Sequence, residues 1–521
     1  MEKRLLLGDE AIALGALHAG LSGVYAYPGT PSTEITEFIQ KNGKCLHSRW
    51  CTNEKTAMEA ALGMSYAGKR ALVCMKHVGM NVCADAFVNS AITGVNGGLV
   101  VVAADDPSMH SSQNEQDSRF YGKFAMVPIF EPSSQQEAYD MMNDAYELSE
   151  RMRLPVLMRV VTRLAHSRAS VVVRSDVRPE NSLNPDNGRH WILLPAIARK
   201  NYIALIEKQS ALARASEQSQ YNYYEKANNE LGIVACGIGY NYVKETEIKL
   251  PIIKISQYPL PEQKLKALAE QCQEILVVED GQPFVEEQLK GLGLNVNISG
   301  RLTGVLPRTG ELTPDNVSEA INNRRTSLPP TPHLVPRPPQ LCQGCGHRDV
   351  YAALKEVVSE FNTAKVFGDI GCYTLGALPP YQALDSTIDM GASITMAKGA
   401  ADAGIWPAIA VIGDSTFTHS GMTGLLDAVN DQANIVVIIS DNLTTAMTGG
   451  QDSAGTNKFE QICLGLGVEP EHVKVVVPLP KNIEDIKQTL RDEINYKGVS
   501  VIIPRRECIQ TFRRHAKEQK K

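Results

Sequence analysis

Two apolar runs, Ala408–Ile412 and Ile435–Ile439, each closed by a polar turn, constrain this chain more than any other feature. Both are rich in Val and Ile, and both read as strands buried on two faces of a parallel sheet. Between them Gly424–Val429 has helical spacing, so the unit reads as strand–helix–strand with a right-handed crossover. The first run leads into Gly413-Asp414-Ser415 and the second into Ser440-Asp441-Asn442. A parallel pair therefore sets Asp414 and Asn442 side by side at the carboxyl ends of neighbouring strands, where open α/β sheets bind ligands. A carboxylate and an amide oxygen, completed by waters and phosphate oxygens, suit Mg2+ holding a diphosphate. A doubly wound fold that uses an aspartate only to close a turn would give the same pattern.

The 521 residues exceed what one hydrophobic core organises, and three domains are expected. Residues 1–175 alternate helical patterns (Glu10–Ala19, Glu54–Tyr66, Gln135–Arg151) with strand patterns (Val24–Tyr27, Ala71–Met75, Gly98–Ala104, Pro155–Val161), the signature of an α/β domain. Residues 176–228 are polar and read as a linker with a charged helical run, Ile203–Asn229. A second α/β unit spans 229–327, a Pro-rich linker 328–340, and a third unit 341–521, ending in a basic tail expected to be a solvated end. A net charge of −6 argues against nucleic acid or an anionic membrane as the main partner. No apolar stretch approaches membrane-spanning length, and the apolar core of the N-terminus is too short for a signal peptide. Eleven scattered cysteines, an odd number, suit a reducing cytoplasm better than a disulfide framework.

Other segments carry chemistry at strand ends. Tyr27-Pro28-Gly29-Thr30-Pro31-Ser32-Thr33-Glu34 is a rigid turn opening a helix, with Ser32 and Thr33 as expected caps and a ready anion site. Asn53-Glu54-Lys55 begins a helix of small residues, in which either Glu54 or Glu59 could be the functional carboxylate. Lys76-His77-Val78-Gly79 closes another strand. Asp105-Asp106-Pro107-Ser108 closes the next and runs into the polar stretch His110–Arg119, a solvent-facing connection or a substrate or subunit contact. Cys342 and Cys345 form a CxxC pair, and Cys372 ends a strand. Together they suit three corners of a [4Fe–4S] cluster, a zinc site, or unpaired thiols. Cys463 and Cys508 are both available as a fourth corner, with Cys508 the better placed.

Taken in order, Tyr27–Glu34, Asn53-Glu54-Lys55, Lys76–Asn81, Ala104–Arg119, Gly368–Leu378, Met390–Ile394, Gly413–Gly424 and Ser440–Gln451 resemble the large (alpha) subunit of indolepyruvate:ferredoxin oxidoreductases, in the 2-oxoacid:acceptor oxidoreductase superfamily. The resemblance implies three doubly wound α/β units. Two are thiamine diphosphate (ThDP) folds, pyrimidine-binding at 1–175 and diphosphate-binding at 341–521, flanking a transketolase C-terminal-like domain. It also implies Asp414, Asn442 and the Thr444 carbonyl as Mg2+ ligands. Gly413, Ser415, Met447, Thr448 and Gly449 would then lie along the coenzyme. Glu54 matches the glutamate that meets the pyrimidine ring nitrogen, and Thr30 a hydroxyl near the substrate. Lys76 and His77 are the remaining catalytic candidates.

The implied activity is oxidative decarboxylation of an aryl 2-oxoacid to its acyl-CoA, with single electrons passing to ferredoxin. Expected partners are CoA, a small beta- or gamma-type subunit and a ferredoxin-like subunit, in an oligomer. Two departures stand out. Ser415 replaces the usual glycine, and the doubled cysteine pattern of the family's C-terminal ferredoxin module is missing from this sequence. Either a separate ferredoxin-like subunit takes that role, or the chemistry no longer sends electrons to ferredoxin. The rival reading is therefore a non-oxidative ThDP decarboxylase releasing an aldehyde. A non-catalytic ThDP-binding subunit is a third.

Overall fold

A computed structural model describes residues 2–44, 46–322, 333–335 and 338–518. It resolves into two compact units, Met1–Pro330 and Thr331–Lys521. Most of the linker expected over 328–340 lies outside the described residues.

The first unit holds two main sheets. One has seven strands in the order Gln257–Tyr258, Ile129–Phe130, Val156–Val161, Leu99–Asp105, Ala71–Lys76, Gly23–Ala26, His47–Trp50. Only the first of these runs antiparallel to its neighbour. Leu99–Asp105 and Val156–Val161 are buried at every position, which is why they read as near-continuous apolar runs, interrupted only by Arg159 and closed by Asp105, rather than alternating ones. The other sheet orders Asn297–Ser299, Glu274–Val278, Leu231–Cys236, Ile252–Ile255 and Tyr223–Glu225. Glu2–Leu7 pairs antiparallel with Arg168–Val173.

The helical run read over Ile203–Asn229 is corrected. The helix is Pro195–Glu217, opened by proline in its first turn, and Tyr223–Glu225 is a strand. Asn222 enforces the break: its side-chain amide donates to the carbonyls of Ser216 and Gln257, and its oxygen accepts from the N–H groups of Ser256 and Gln257.

The polar stretch after Asp105 is no simple solvent-facing connection, because much of it packs inward. Arg159 donates to Asp105 at 2.6 Å, to Glu131 at 2.5 Å and to the Asp280 carbonyl at 2.8 Å. Arg119 donates to Asp117, to the Gln282 carbonyl and, at 3.0 Å, to Glu279. All of these residues but the half-buried Gln282 are buried, joining the end of the seven-stranded sheet to the 279–282 turn. Burial pushes the Glu279 carboxyl up to about 7 and Asp280 up to about 6, against the pull of the guanidinium groups beside them.

The second unit is a six-stranded, all-parallel sheet: Ser386–Thr387, Lys365–Gly368, Ala408–Gly413, Ile435–Ser440, Val499–Pro504, Val473–Val476. Gly413 lies opposite Ser440. The side on which successive strands are added reverses between Lys365–Gly368 and Ala408–Gly413, the switch point where such sheets open a crevice. The connecting helix is Met422–Asn430, entered through a wider π turn at Phe417–Gly421. The tail is not merely a solvated end. Ile509–Glu518 is helical, and Arg514 donates to the carbonyls of Gly449 at 2.7 Å and Gly450 at 3.3 Å. No helix among the described residues is long and apolar enough to cross a membrane.

Candidate active site

In the second unit the metal candidates gather at the carboxyl ends of two adjacent strands, Ala408–Gly413 at the switch point and Ile435–Ser440 beside it. Asp414, 2% exposed, follows directly on its strand. Its carboxylate oxygens accept the N–H groups of Ser415 at 2.7 Å and Thr444 at 3.1 Å. Asn442 Oδ1 accepts the same Thr444 N–H at 3.2 Å. One donor shared by both oxygens fixes the carboxylate and the amide next to each other. Burial pushes the Asp414 carboxyl up to about 7, and Asp441 nearby adds to this. A bound cation is the group that would reverse that shift. Asp441 itself is held by Arg505 at 2.6 Å.

The surroundings fit a bound diphosphate. A Cβ at Gly413 would sit 2.5 Å from the Tyr373 ring, so only a bare backbone passes there. Gly449 and Gly450 have φ of 128° and 88°, conformations that suit glycine alone. The loop is closed on itself by bonds from Thr444 Oγ1 to the Gln451 carbonyl at 2.9 Å and from Thr448 Oγ1 to Gln451 Oε1 at 2.6 Å. Met447 projects outward from it, 53% exposed.

Asp369 escapes the sequence reading. It ends the strand across the switch point, and it is fully buried. It accepts from the Tyr373 hydroxyl, from Ser393 Oγ at 2.8 Å and from the Gly391 N–H at 3.2 Å, while burial pushes its carboxyl up to about 7. Gly368-Asp369 at a strand end, the same pattern as Gly413-Asp414, was the available signal.

Cys342, Cys345, Cys372 and Cys508 line one cavity of about 130 Å³, with His347, Asp441 and Asn442 also in its wall. Cys463 is absent from that wall; it is fully buried in the core with Phe417 and Phe459. Burial, reinforced by the neighbouring thiols, pushes Cys372 up to about 12, and burial pushes His347 down to about 4. No three of these sulfurs lie within 4.8 Å of one another. A single zinc bonded at about 2.3 Å to each would require closer packing, whereas a cubane cluster spreads its four thiolates more widely. The Cys508 N–H donates to the Asn442 carbonyl and the Arg506 N–H to the Asp441 carbonyl, each at 3.0 Å. The cavity and the Asp414 loop therefore share a wall.

In the first unit, Thr30, Glu54, Lys76 and His77 follow the carboxyl ends of three adjacent parallel strands, Gly23–Ala26, His47–Trp50 and Ala71–Lys76. Glu54 opens the helix Glu54–Tyr66, which Asn53 caps by accepting the Thr56 N–H at 2.8 Å. Burial separates the two glutamates left open by spacing. Glu54 is 5% exposed and lies so close over Gly79 that a Cβ there would come within 2.6 Å of it. Glu59 is exposed and paired with Lys55.

The caps expected from Ser32 and Thr33 are corrected, because both hydroxyls bond back to Gly29. Ser32 Oγ donates to the Gly29 carbonyl at 2.8 Å, and Thr33 Oγ1 accepts the Gly29 N–H at 3.1 Å. They close the turn around the cis Thr30–Pro31 bond, and the helix end goes without a side-chain cap. A Cβ on Gly29 would touch Lys76 Cβ at 3.1 Å, so the Thr30 turn rests on Lys76. The Lys76 ammonium donates to the Ser111 carbonyl at 2.6 Å, and burial pulls it down to about 8 against the pull of Asp106. His77 Nε2 lies 3.3 Å from Asn114 Oδ1, and its Nδ1 has no hydrogen-bond partner among the described residues. Burial lowers its pKa.

Comparison with known proteins places this geometry in context. Residues 14–230 match the family model for the thiamine diphosphate-binding part of pyruvate flavodoxin/ferredoxin oxidoreductase. Residues 369–503 match the C-terminal TPP-binding domain of thiamine pyrophosphate enzymes. The chain is 40% identical over 546 residues to indolepyruvate oxidoreductase subunit IorA of Archaeoglobus fulgidus, covering 97% of this chain and 86% of that one. It is 37% identical to the IorA subunit of Methanothermobacter thermautotrophicus, covering 98% and 87%. Among solved structures, 2-oxoglutarate:ferredoxin oxidoreductase from Magnetococcus marinus superimposes with a TM-score of 0.49 at 16% identity, covering 62% of this chain and 65% of that one.

Proposed function

The chain belongs to the family of indolepyruvate oxidoreductase subunit IorA, and from that premise we propose that it oxidatively decarboxylates an aryl 2-oxoacid to its acyl-CoA, passing electrons singly to ferredoxin or a ferredoxin-like subunit. It is a ThDP-dependent 2-oxoacid oxidoreductase, and membership in a family of named subunits implies further subunits. One observation carries the site assignment: Asp414, at the switch point of the sheet, and Asn442, at the end of the next strand, accept one shared N–H inside the matched TPP-binding segment.

Asp414, Asn442 and the Thr444 carbonyl hold Mg2+. Gly413, Ser415 and the 447–449 turn line the diphosphate with backbone N–H groups. Bound there, ThDP supplies the electron sink for loss of CO2. Glu54 holds a proton at the pyrimidine ring nitrogen, kept from bulk water by its burial. Domain roles follow: 1–175 is the pyrimidine half, 341–521 the diphosphate half, and 229–327 the transketolase C-terminal-like part.

Lys76 holds the substrate carboxylate, with Thr30 and His77 as neighbouring hydrogen-bonding groups. Its ammonium is charged below about 8 and neutral above. The KM for the 2-oxoacid should therefore be flat at lower pH and rise about tenfold per pH unit beyond that point. Lys76→Met should raise KM at low pH and remove the bend. A KM–pH profile of the two proteins checks both.

Cys342, Cys345, Cys372 and Cys508 carry a [4Fe–4S] cluster as the one-electron exit. Anaerobically purified protein should contain about four irons per chain and give a paramagnetic resonance signal on reduction with 2-oxoacid plus CoA. Cys508→Ala should lose iron and signal, and Cys463→Ala should keep both. Iron-free protein that releases aldehyde from the 2-oxoacid would overturn this reading in favour of the non-oxidative decarboxylase.

A further inference from the structure

Away from those residues, three ionisable side chains converge, an ion pair of Glu34 with His166 and a buried Asp9 to which the described residues offer no hydrogen bond. Asp9 lies in the first turn of the helix Gly8–His18, Glu34 in the first turn of Thr33–Asn42, and His166 ends Thr162–His166. One ligating atom from each lies within 4.8 Å of the other two. Asp9 is fully buried, and neither of its carboxylate oxygens has a hydrogen-bond partner among the described residues. Glu34 Oε2 also lacks a hydrogen bond; the nearest cation is His166 Nε2, 3.6 Å away.

The convergence is locked by backbone packing. A Cβ on Gly8 would lie 2.2 Å from the Leu164 carbonyl oxygen, so the start of one helix abuts the turn that carries His166. A buried carboxylate with no donor is costly, and a second carboxylate beside it adds to that cost. Protonating Asp9 relieves the charge and still leaves both oxygens without a partner. A divalent ion serves all three groups at once. Two carboxylate oxygens and one imidazole nitrogen suit Mn2+ or Zn2+ better than Mg2+, which favours an all-oxygen shell. Glu34 and His166 are partly exposed, with side-chain accessibilities of 39% and 35%, leaving room for water to complete the coordination.

We propose that Asp9, Glu34 and His166 bind one divalent first-row transition ion, separate from the Asp414 site. The ion clamps the helix entered through the Thr30 turn onto two neighbouring elements. Full-length protein stripped with EDTA and titrated with Mn2+ in the absence of ThDP tests this by paramagnetic resonance. Wild type should bind one Mn2+ more than Asp9→Asn and one more than His166→Gln. Nitrogen coupling from the imidazole should vanish in His166→Gln, and Mn2+ should raise the melting temperature of wild type alone. Equal stoichiometry in the three proteins, no Mn2+ binding at all, or nitrogen coupling that survives His166→Gln would overturn the site. His166 lies at the exposed rim, so its variant decides the matter even if the Asp9 variant fails to fold.

Discussion

Asp414→Asn should cost the protein its coenzyme and with it all measurable turnover. The asparagine keeps the shape, but its single carbonyl oxygen can accept only one of the Ser415 and Thr444 N–H groups that the two carboxylate oxygens share between them. It removes the only negative charge offered by the proposed ligand set to a doubly charged ion. Removing one partner of a buried charge pair costs about 3–5 kcal/mol, a loss of Mg2+–ThDP affinity of roughly two to four orders of magnitude. Calorimetric titration with ThDP in excess Mg2+ measures it, and unchanged affinity would remove Asp414 from the metal site. The same substitution has an opposite signature without metal. Asp414 has its folded pKa raised to about 7 from an ordinary 3.8, so the folded state binds the extra proton. Its contribution to stability then falls as pH climbs through that window. Metal-free Asp414→Asn should lack that decline, which urea denaturation across the window would read.

Glu54→Gln should leave coenzyme affinity close to wild type and lower turnover by about 10²- to 10⁴-fold, the usual contribution of a positioned proton-transfer group. Glutamine preserves the packing over Gly79 but cannot carry the proton. Glu59→Gln, on the exposed face of the same helix, should be indistinguishable from wild type. Steady-state kinetics with saturating ThDP separates the two. Full activity in the Glu54 variant would sink the assignment.

What was legible followed local pattern. Ala408–Gly413 and Ile435–Ser440 have no polar alternation because both faces are covered, and the turn residues after them mark the ligand edge. What was not legible depended on partners far along the chain. Spacing could not rank Glu54 above Glu59, since the deciding fact is a glycine on another helix. Cys508, by contrast, is already the better-placed fourth corner by its segment after the last strand, and the cavity wall includes it and leaves Cys463 out. Ser32 and Thr33 have good capping chemistry, but the cis-proline turn uses their hydroxyls first. Asp117 and Arg119 read as solvated charge because their burial depends on Arg159 and Glu279, which lie well beyond the same loop.

The amide–carbonyl pairs from Arg506 and Cys508 to Asp441 and Asn442 make one short stretch of main chain common to the sulfur-lined hollow and the vitamin's anchor. If the hollow carries the proposed inorganic centre, retuning its potential by editing this stretch would alter how long the vitamin stays bound. Oxidative damage at the sulfurs would then also register as vitamin dependence.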